Sequence, residues 1–293
     1  MPDHKVQHFL ARSYLKGFTA GLIKGQPQIW ILDKQTNEIR LGSPDKSAAF
    51  SYYYSSQLPD GSYDNSIEES FSKLESDFLR VVERARANVE ASNLGGFAPA
   101  PTLEDRIVLC RYIYLHFLRV PQNMEWIRSD SSKHLERMDQ MGLLEFGESN
   151  LQNYMMKVFT HIDGKVSAKA VEILSSKNVA IEYAVRRRVS VFTCDNPVFR
   201  YNPKGAEGIL YEDTNIFFPL YYRAYARLQG SGNQLAIMKH HDISLIDDLN
   251  RALIRNATRE VFANDSERLK AAAEAEGIEA VINAPKGVSF DSH

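Results

Sequence analysis

Between residues 65 and 91, Ile67, Phe71, Leu74, Phe78, Val81 and Val82 recur at three- and four-residue spacing. That spacing places all six on one face of a long amphipathic helix, so the middle of the chain begins helical. Asp64 or Asn65 is placed to cap its start, where the acids of the first turn also suit the helix dipole. After the break LGGFAPAP, Thr102 caps a second helix, with Asp105 at the capping-box position where Glu or Gln is more usual. IVLCRYIYLHFL carries that helix to Arg119, and Pro121 ends or kinks it. Residues 123 to 186 read as mostly helical, with loops near Gly142, Gly147 and Gly164.

The flanks have the shorter period of strands. QIWILD, a turn KQTNE and IRLGSP read as a hairpin, with Ile29, Ile31, Ile39 and Leu41 in its strands. Val189 to Thr193 reads as a buried strand, IFFPLYY and AYARLQG as two more, and QLAIM as a fourth. Ser244 caps a strongly periodic helix, and the tail continues as an Ala/Glu-rich helix to Glu276 before an extended, loose end. The expected class is α+β: a small, mostly antiparallel sheet from the N- and C-terminal segments, packed against a predominantly helical middle. The expected organisation is one domain over 1–264, strand-rich in 1–60, helical in 64–187, with strands and a closing helix in 188–264, then a tail over 265–293.

With 293 residues, 44% of them hydrophobic, the chain can bury a large core. Lys and Arg total 35 against 37 acids, a net charge of −2, which excludes the broad basic footprint of a protein that coats nucleic acid. A local nucleotide or nucleic-acid site stays open. Arg186-Arg187-Arg188 is the only basic run and reads as a solvated helix end. Two scattered cysteines, Cys110 and Cys194, fit a reducing cytoplasm. The start MPDHKVQHFL has no signal pattern and no apolar run reaches a membrane-spanning length, so the expected location is cytoplasmic, away from membranes.

Six polar residues stand where chemistry could occur. His8 precedes an apolar face and reads either as a helix-start histidine bonded to backbone or as a general acid/base or metal ligand. Glu68 and Glu75 share a helix face but lie roughly 10.5 Å apart along the axis, so at most one could enter a metal's first shell. Arg119 ends an apolar stripe with His116, and a guanidinium there needs an acid or an anionic ligand. Asp195, followed by Asn196 and Pro197, either caps a turn that stops the strand or carries metal or proton chemistry at the strand end. His240-His241-Asp242 reads as surface. The phosphate-binding, dinucleotide, zinc-protease and serine-hydrolase motifs are all absent.

Four pieces occur in a particular order: QHFLARSYLKGF, IWILDKQTNEIRLGSPDKSAAFSYYYS, IEESFSKLES, and FTCDNPV with FFPL downstream. Together they resemble the DUF4238 family, over roughly residues 5 to 262. The resemblance singles out His8, Asp33, Glu68, Glu75, Arg119, Asp195 and Asn196 as its polar positions. Ala11 departs from the family's proline, Leu32 from its hairpin tyrosine and Cys194 from its serine; the last change argues against an indispensable serine nucleophile there. The resemblance brings no established activity with it.

Two readings follow. In the first, His8, Glu68 and Asp195 are catalytic, Glu75 and Asp195 hold Mg²⁺ or Mn²⁺, and Arg119 and Asn196 bind substrate. Such a set suits metal-assisted hydrolysis of a phosphodiester or nucleotide, in a nuclease-like enzyme of defence or stress. In the second, the same residues are an internal network in a non-enzymatic ligand-binding or protein-interaction module, with the tyrosines of SYYYSS and PLYYRAY as its contact surface.

Overall fold

A computed structural model describes residues 6–51, 53, 55–57, 60–64, 66–93, 102–123, 125, 165–186, 189–205, 208–232, 234–240 and 243–283. The N-terminal part runs β1 (Val6–His8), α1 (Arg12–Leu15), β2 (Gly21–Ile23), β3 (Gln26–Asp33), β4 (Glu38–Gly42), β5 (Ala49–Ser51), β6 (Ser56–Gln57) and β7 (Tyr63–Asp64). Helices α2 (Ser66–Asn93), α3 (Leu103–Arg119) and α4 (Lys165–Ser175) follow, then β8 (Asn178–Ala184), β9 (Thr193–Cys194), β10 (Phe199–Tyr201), β11 (Asn215–Tyr221), β12 (Ala224–Gln229) and β13 (Leu235–His240). The chain closes with α5 (Ser244–Asn256), β14 (Glu260–Ala263), α6 (Ser266–Ala275) and β15 (Val281–Asn283).

The α+β class holds, but the expectation of one small sheet does not. Among the described residues there are two large sheets, one ordered β10-β11-β12-β8-β13 and one ordered β15-β4-β3-β14-β9 with β2 added on β3, besides the two-stranded β1–β5 and β6–β7 pairs. Both large sheets are mixed, because β13 runs parallel to β8 and β15 parallel to β4. The five-stranded sheet contains no N-terminal strand. Its interior strand β8, between β12 and β13, falls within the stretch 123 to 186 that reads as helical by sequence. The reason lies in Val179, Ile181 and Tyr183, which alternate into one core while Glu182 and Ala184 face the other way. That is a period of two inside a helix-like neighbourhood. Residues 126–164, where the Gly142, Gly147 and Gly164 loops were expected, lie outside the described residues.

The second sheet separates two cores. Ile29 and Ile31 on β3 join one with Phe71, Phe78, Tyr112 and Phe218, whereas Trp30 and Leu32 join the other with Leu249, Leu253 and Leu269. Burial on both faces explains why QIWILD is apolar without alternating. Residues 189–192, expected as a strand, are extended and buried but outside any ladder. Their polar backbone is satisfied elsewhere: Val191 N donates to Tyr222 O, while the Asn250 amide accepts from Phe192 N at 2.8 Å and donates to Ser190 O at 2.7 Å. Helix α6 buries Leu269 and Ala273, and β15 pairs with β4, so residues 266–283 pack against and extend the same sheet. No helix among the described residues is long and apolar enough to cross a membrane.

Candidate functional site

Helix α3 starts as its sequence dictates. Thr102 accepts from Asp105 N at 3.2 Å and Asp105 accepts from Thr102 N at 2.8 Å, so a shorter acid closes the capping box usually made by Glu or Gln. The helix ends at Arg119, ahead of extended Val120 and Pro121. Its inward stripe of Tyr112, His116 and Arg119 is fully buried.

Arg119 sits where β1, α2 and α3 meet. One arm of its guanidinium donates to Glu75 Oε1 at 2.7 Å, the other to the carbonyl of His8, and its flat face lies 4.4 Å from the centre of the Phe71 ring. Hydrogen bonds and a ring face together meet the requirement that a buried guanidinium be paired. The Tyr53 hydroxyl donates to Arg119 O at 3.1 Å. His8 thus reaches this node through its backbone, while its half-buried ring places Nε2 3.3 Å from Asp45 O. Burial lowers the His8 pKa, the Arg12 and Arg119 charges push the same way, and the Asp45 carbonyl and Glu75 oppose them. The imidazole is therefore neutral near pH 7. Glu68 lies two turns before Glu75, half-buried.

Asp195 belongs to a second node. Its Oδ1 accepts from Thr258 N at 2.8 Å, and its Oδ2 accepts from Arg259 N at 2.6 Å and Glu260 N at 3.0 Å. The carboxylate therefore shapes the entry into β14 rather than the residues that follow it in sequence. Burial raises its pKa even against those three donors. Asn196 is locked to α5: its carbonyl accepts from Asn256 Nδ2 at 2.6 Å, and its own amide donates to Gln122 Oε1 at 3.3 Å. Asp33 completes the node, accepting from Arg259 Nη2 at 2.8 Å and Nε at 3.0 Å, and from Gln35 N at 2.9 Å. Burial works to raise the Asp33 pKa, but these hydrogen bonds outweigh it and the pKa is lowered. Lys34 Nζ, donating to Ile254 O at 2.8 Å and Ala257 O at 2.6 Å, fastens the end of α5 to the same place.

The predicted residues thus fall into two nodes built on different partners, His8, Glu75 and Arg119 in one and Asp33, Asp195 and Asn196 in the other. The end of α3 connects them, since Arg119 serves the first and Gln122 the second. Three of the roughly four Asp195 acceptor sites are taken by backbone N–H groups and Glu75 Oε1 by a guanidinium, so the two carboxylates face separate protein donors in separate nodes. Among the described residues no three His, Cys, Asp or Glu side chains are grouped to hold a metal ion. Cys194 is buried, which raises its thiol pKa and leaves it a poor nucleophile.

Two polar groupings escaped the sequence reading. Glu182, 1% exposed on β8, accepts from Tyr225 Oη at 2.6 Å, contacts His240 Nε2 and forms an ion pair with Arg227. His240, expected at the surface, is therefore mostly enclosed; His241 and Asp242 lie outside the described residues. In the first core, neither ring nitrogen of His116 nor the Tyr112 hydroxyl has a hydrogen-bond partner among the described residues. The rings of Tyr112, Tyr14 and Phe218 stand 4.3, 5.4 and 5.5 Å from that imidazole. Burial drives the His116 pKa well below that of a free imidazole.

The tyrosine surface also needs correction. Tyr221 and Tyr225 of PLYYRAY are buried at 2% and 3% exposure, because both belong to strands covered on either face. Tyr52 and Tyr54 of SYYYSS, like Arg187 and Arg188 of the basic run, lie outside the described residues.

These features define an α+β protein with two mixed sheets and two buried polar nodes. The chain belongs to the DUF4238 family, described as proteins of unknown function, whose model matches residues 6–267. Neither the curated proteins nor the solved structures contain a match to it.

Proposed function

We propose that this chain is a non-enzymatic ligand-binding module, and that the polar residues of its motifs frame the fold instead of performing hydrolysis. The observation that carries the reading is the state of Asp195, whose two oxygens are already occupied by three backbone N–H groups. Three of the carboxylate's roughly four acceptor sites are thus committed to the turn, which leaves a single lone pair on Oδ1 of a largely buried group for any substrate or ion. Arg119 supports the same reading, since its charge is matched by Glu75 and does not await an anion.

The competing reading, a metal-assisted phosphodiester or nucleotide hydrolase, is separated by one experiment. The purified chain is incubated with Mg²⁺ or Mn²⁺ and with bis(p-nitrophenyl) phosphate, nucleoside triphosphates and single-stranded DNA, and its melting is followed with and without metal. The binding reading expects no turnover above background and no metal-dependent rise in melting temperature. Metal-dependent turnover by the parental chain would overturn it, and its loss in Asp195→Asn, assayed where that variant is still folded, would place the activity at that carboxylate.

A further inference from the structure

A cavity of about 420 Å³ opens between α5 and α6, away from both polar nodes. That volume falls within the range of small-molecule sites. Its floor is Phe192, held in place by the Asn250 amide, and one wall is the alanine face of α6, including Ala272. Four charged side chains stand around it: Asp247, Asp248 and Arg251 from α5 and Arg268 from α6. Arg268 Nη2 reaches across to Asp247 Oδ1 at 3.0 Å, and Arg251 pairs with Asp248 along α5.

We propose that this cavity binds a small zwitterion, an α-amino acid with an apolar side chain; the inference supplies a ligand class for the binding reading above and rests on it. The argument is one of charge. Among the described residues that line the cavity, two acids balance two arginines, with the opposite charges already adjacent. A simple anion drawn to Arg268 would displace Asp247 and then face it as a like charge. A simple cation drawn to Asp247 would do the same to Arg268. A zwitterion replaces both halves of the cross-helix pair at once, carboxylate against guanidinium and ammonium against carboxylate, and strands neither. At 28% and 47% side-chain exposure, Arg268 and Asp247 can separate without a buried charge being left behind. The alanine face of α6, with buried Phe192 beneath it, then offers an apolar surface to the ligand's side chain, and the space left by the small α6 residues sets its size.

Isothermal titration calorimetry on the full chain tests this, with L-leucine and L-phenylalanine as probes. N-acetyl-leucine, which lacks the cation, and leucine amide, which lacks the anion, are the controls. Saturable binding of at least one amino acid is expected, with each control weakened about tenfold or more by the loss of a charge-assisted pairing. Asp247→Asn and Arg268→Gln should each weaken binding about tenfold while leaving melting close to parental, because both positions are partly exposed. The control compounds decide the matter on the parental chain even where a variant folds poorly. Absence of saturable binding into the millimolar range, or equal binding of amino acid and both controls, would overturn the inference. Failure here together with a negative hydrolase test removes the amino-acid site alone and leaves the binding reading standing. Metal-dependent hydrolysis would remove that reading itself.

Discussion

Arg119, at the last position of α3, holds Glu75 of α2 at 2.7 Å while its other arm fixes the backbone of His8. One side chain therefore ties three segments of the chain together, and two of the positions singled out by the sequence motifs are donor and acceptor of one ion pair. The arginine is 1% exposed and the glutamate 20%, so the pair is deeply enclosed on one side and can reach water on the other.

That asymmetry sets the cost of breaking it. Arg119→Ala leaves Glu75 and the His8 carbonyl without their donor and opens a cavity beside Phe71, and should destabilise the fold by about 3 kcal/mol. Glu75→Leu alone strands a more deeply buried cation and should cost at least as much. The Arg119→Met, Glu75→Leu double variant should recover much of the loss, since an apolar pair leaves no charge behind. Urea denaturation of the parent, Arg119→Met, Glu75→Leu and their double variant closes the cycle, and strictly additive losses would mean the pair does not couple.

At Asp195 an amide is not a conservative replacement. An ordinary turn-capping aspartate tolerates asparagine because one oxygen suffices. Here Oδ1 and Oδ2 both accept backbone N–H groups, so the asparagine Nδ2 would have to face a donor. Asp195→Asn should lose about 1–3 kcal/mol, and Asp195→Ala more, with accelerated amide hydrogen exchange at Thr258, Arg259 and Glu260. Parental stability and unchanged exchange in Asp195→Asn would show that the turn does not depend on the carboxylate.

What the sequence discloses follows the range of the interactions. The capping of α3 by Thr102 and Asp105, the β3–β4 hairpin and the face of α2 are set by residues within a few positions of one another, and the sequence reads them correctly. The need of Arg119 for an acidic partner is also legible, because burial of a lone guanidinium is so costly. The partner of Asp195 was not legible, since Thr258 lies 63 residues away and donates through its backbone. Nor was the Glu182 cluster, which exists because antiparallel β12 sets Tyr225 opposite Glu182 on one side of β8 while parallel β13 brings His240 within reach on the other. Strand β8 itself was obscured by its helical surroundings.

The Glu182 cluster should behave as a structural brace of the five-stranded sheet. Glu182→Gln keeps the shape and an acceptor for Tyr225 Oη but removes the charge that faces Arg227 and His240. It should cost about 2 kcal/mol, below the full penalty for a stranded buried charge because Arg227 is 26% exposed and can reach water. Urea denaturation of parent and variant provides the check, and equal midpoints would mean that the carboxylate charge does not brace the sheet.

His116 should make the fold sensitive to mild acid. In the unfolded chain its imidazole takes up a proton near pH 6.5, whereas in the folded chain burial among Tyr14, Tyr112 and Phe218 holds its pKa well below that value. Below about pH 6.5 the unfolded state therefore binds more protons than the folded one, and stability falls as pH falls, by up to about 1.4 kcal/mol per unit from this group. The loss continues until the pH reaches the folded pKa. His8, whose pKa is also lowered, adds to the slope in the same direction. Asp195 acts in the opposite sense, because its raised folded pKa lets the native state take its proton first, but that contribution belongs to the more acidic carboxylate range. His116→Phe keeps an aromatic ring in the same cage and removes the two unpartnered nitrogens. It should be at least as stable as the parent near about pH 7.5 and should lose less stability on going to about pH 5.5, retaining only the part due to His8 and other groups. Urea midpoints at those two pH values in parent and variant measure the difference, and identical slopes would show that the folded protein accepts a proton at His116 as readily as the unfolded chain does.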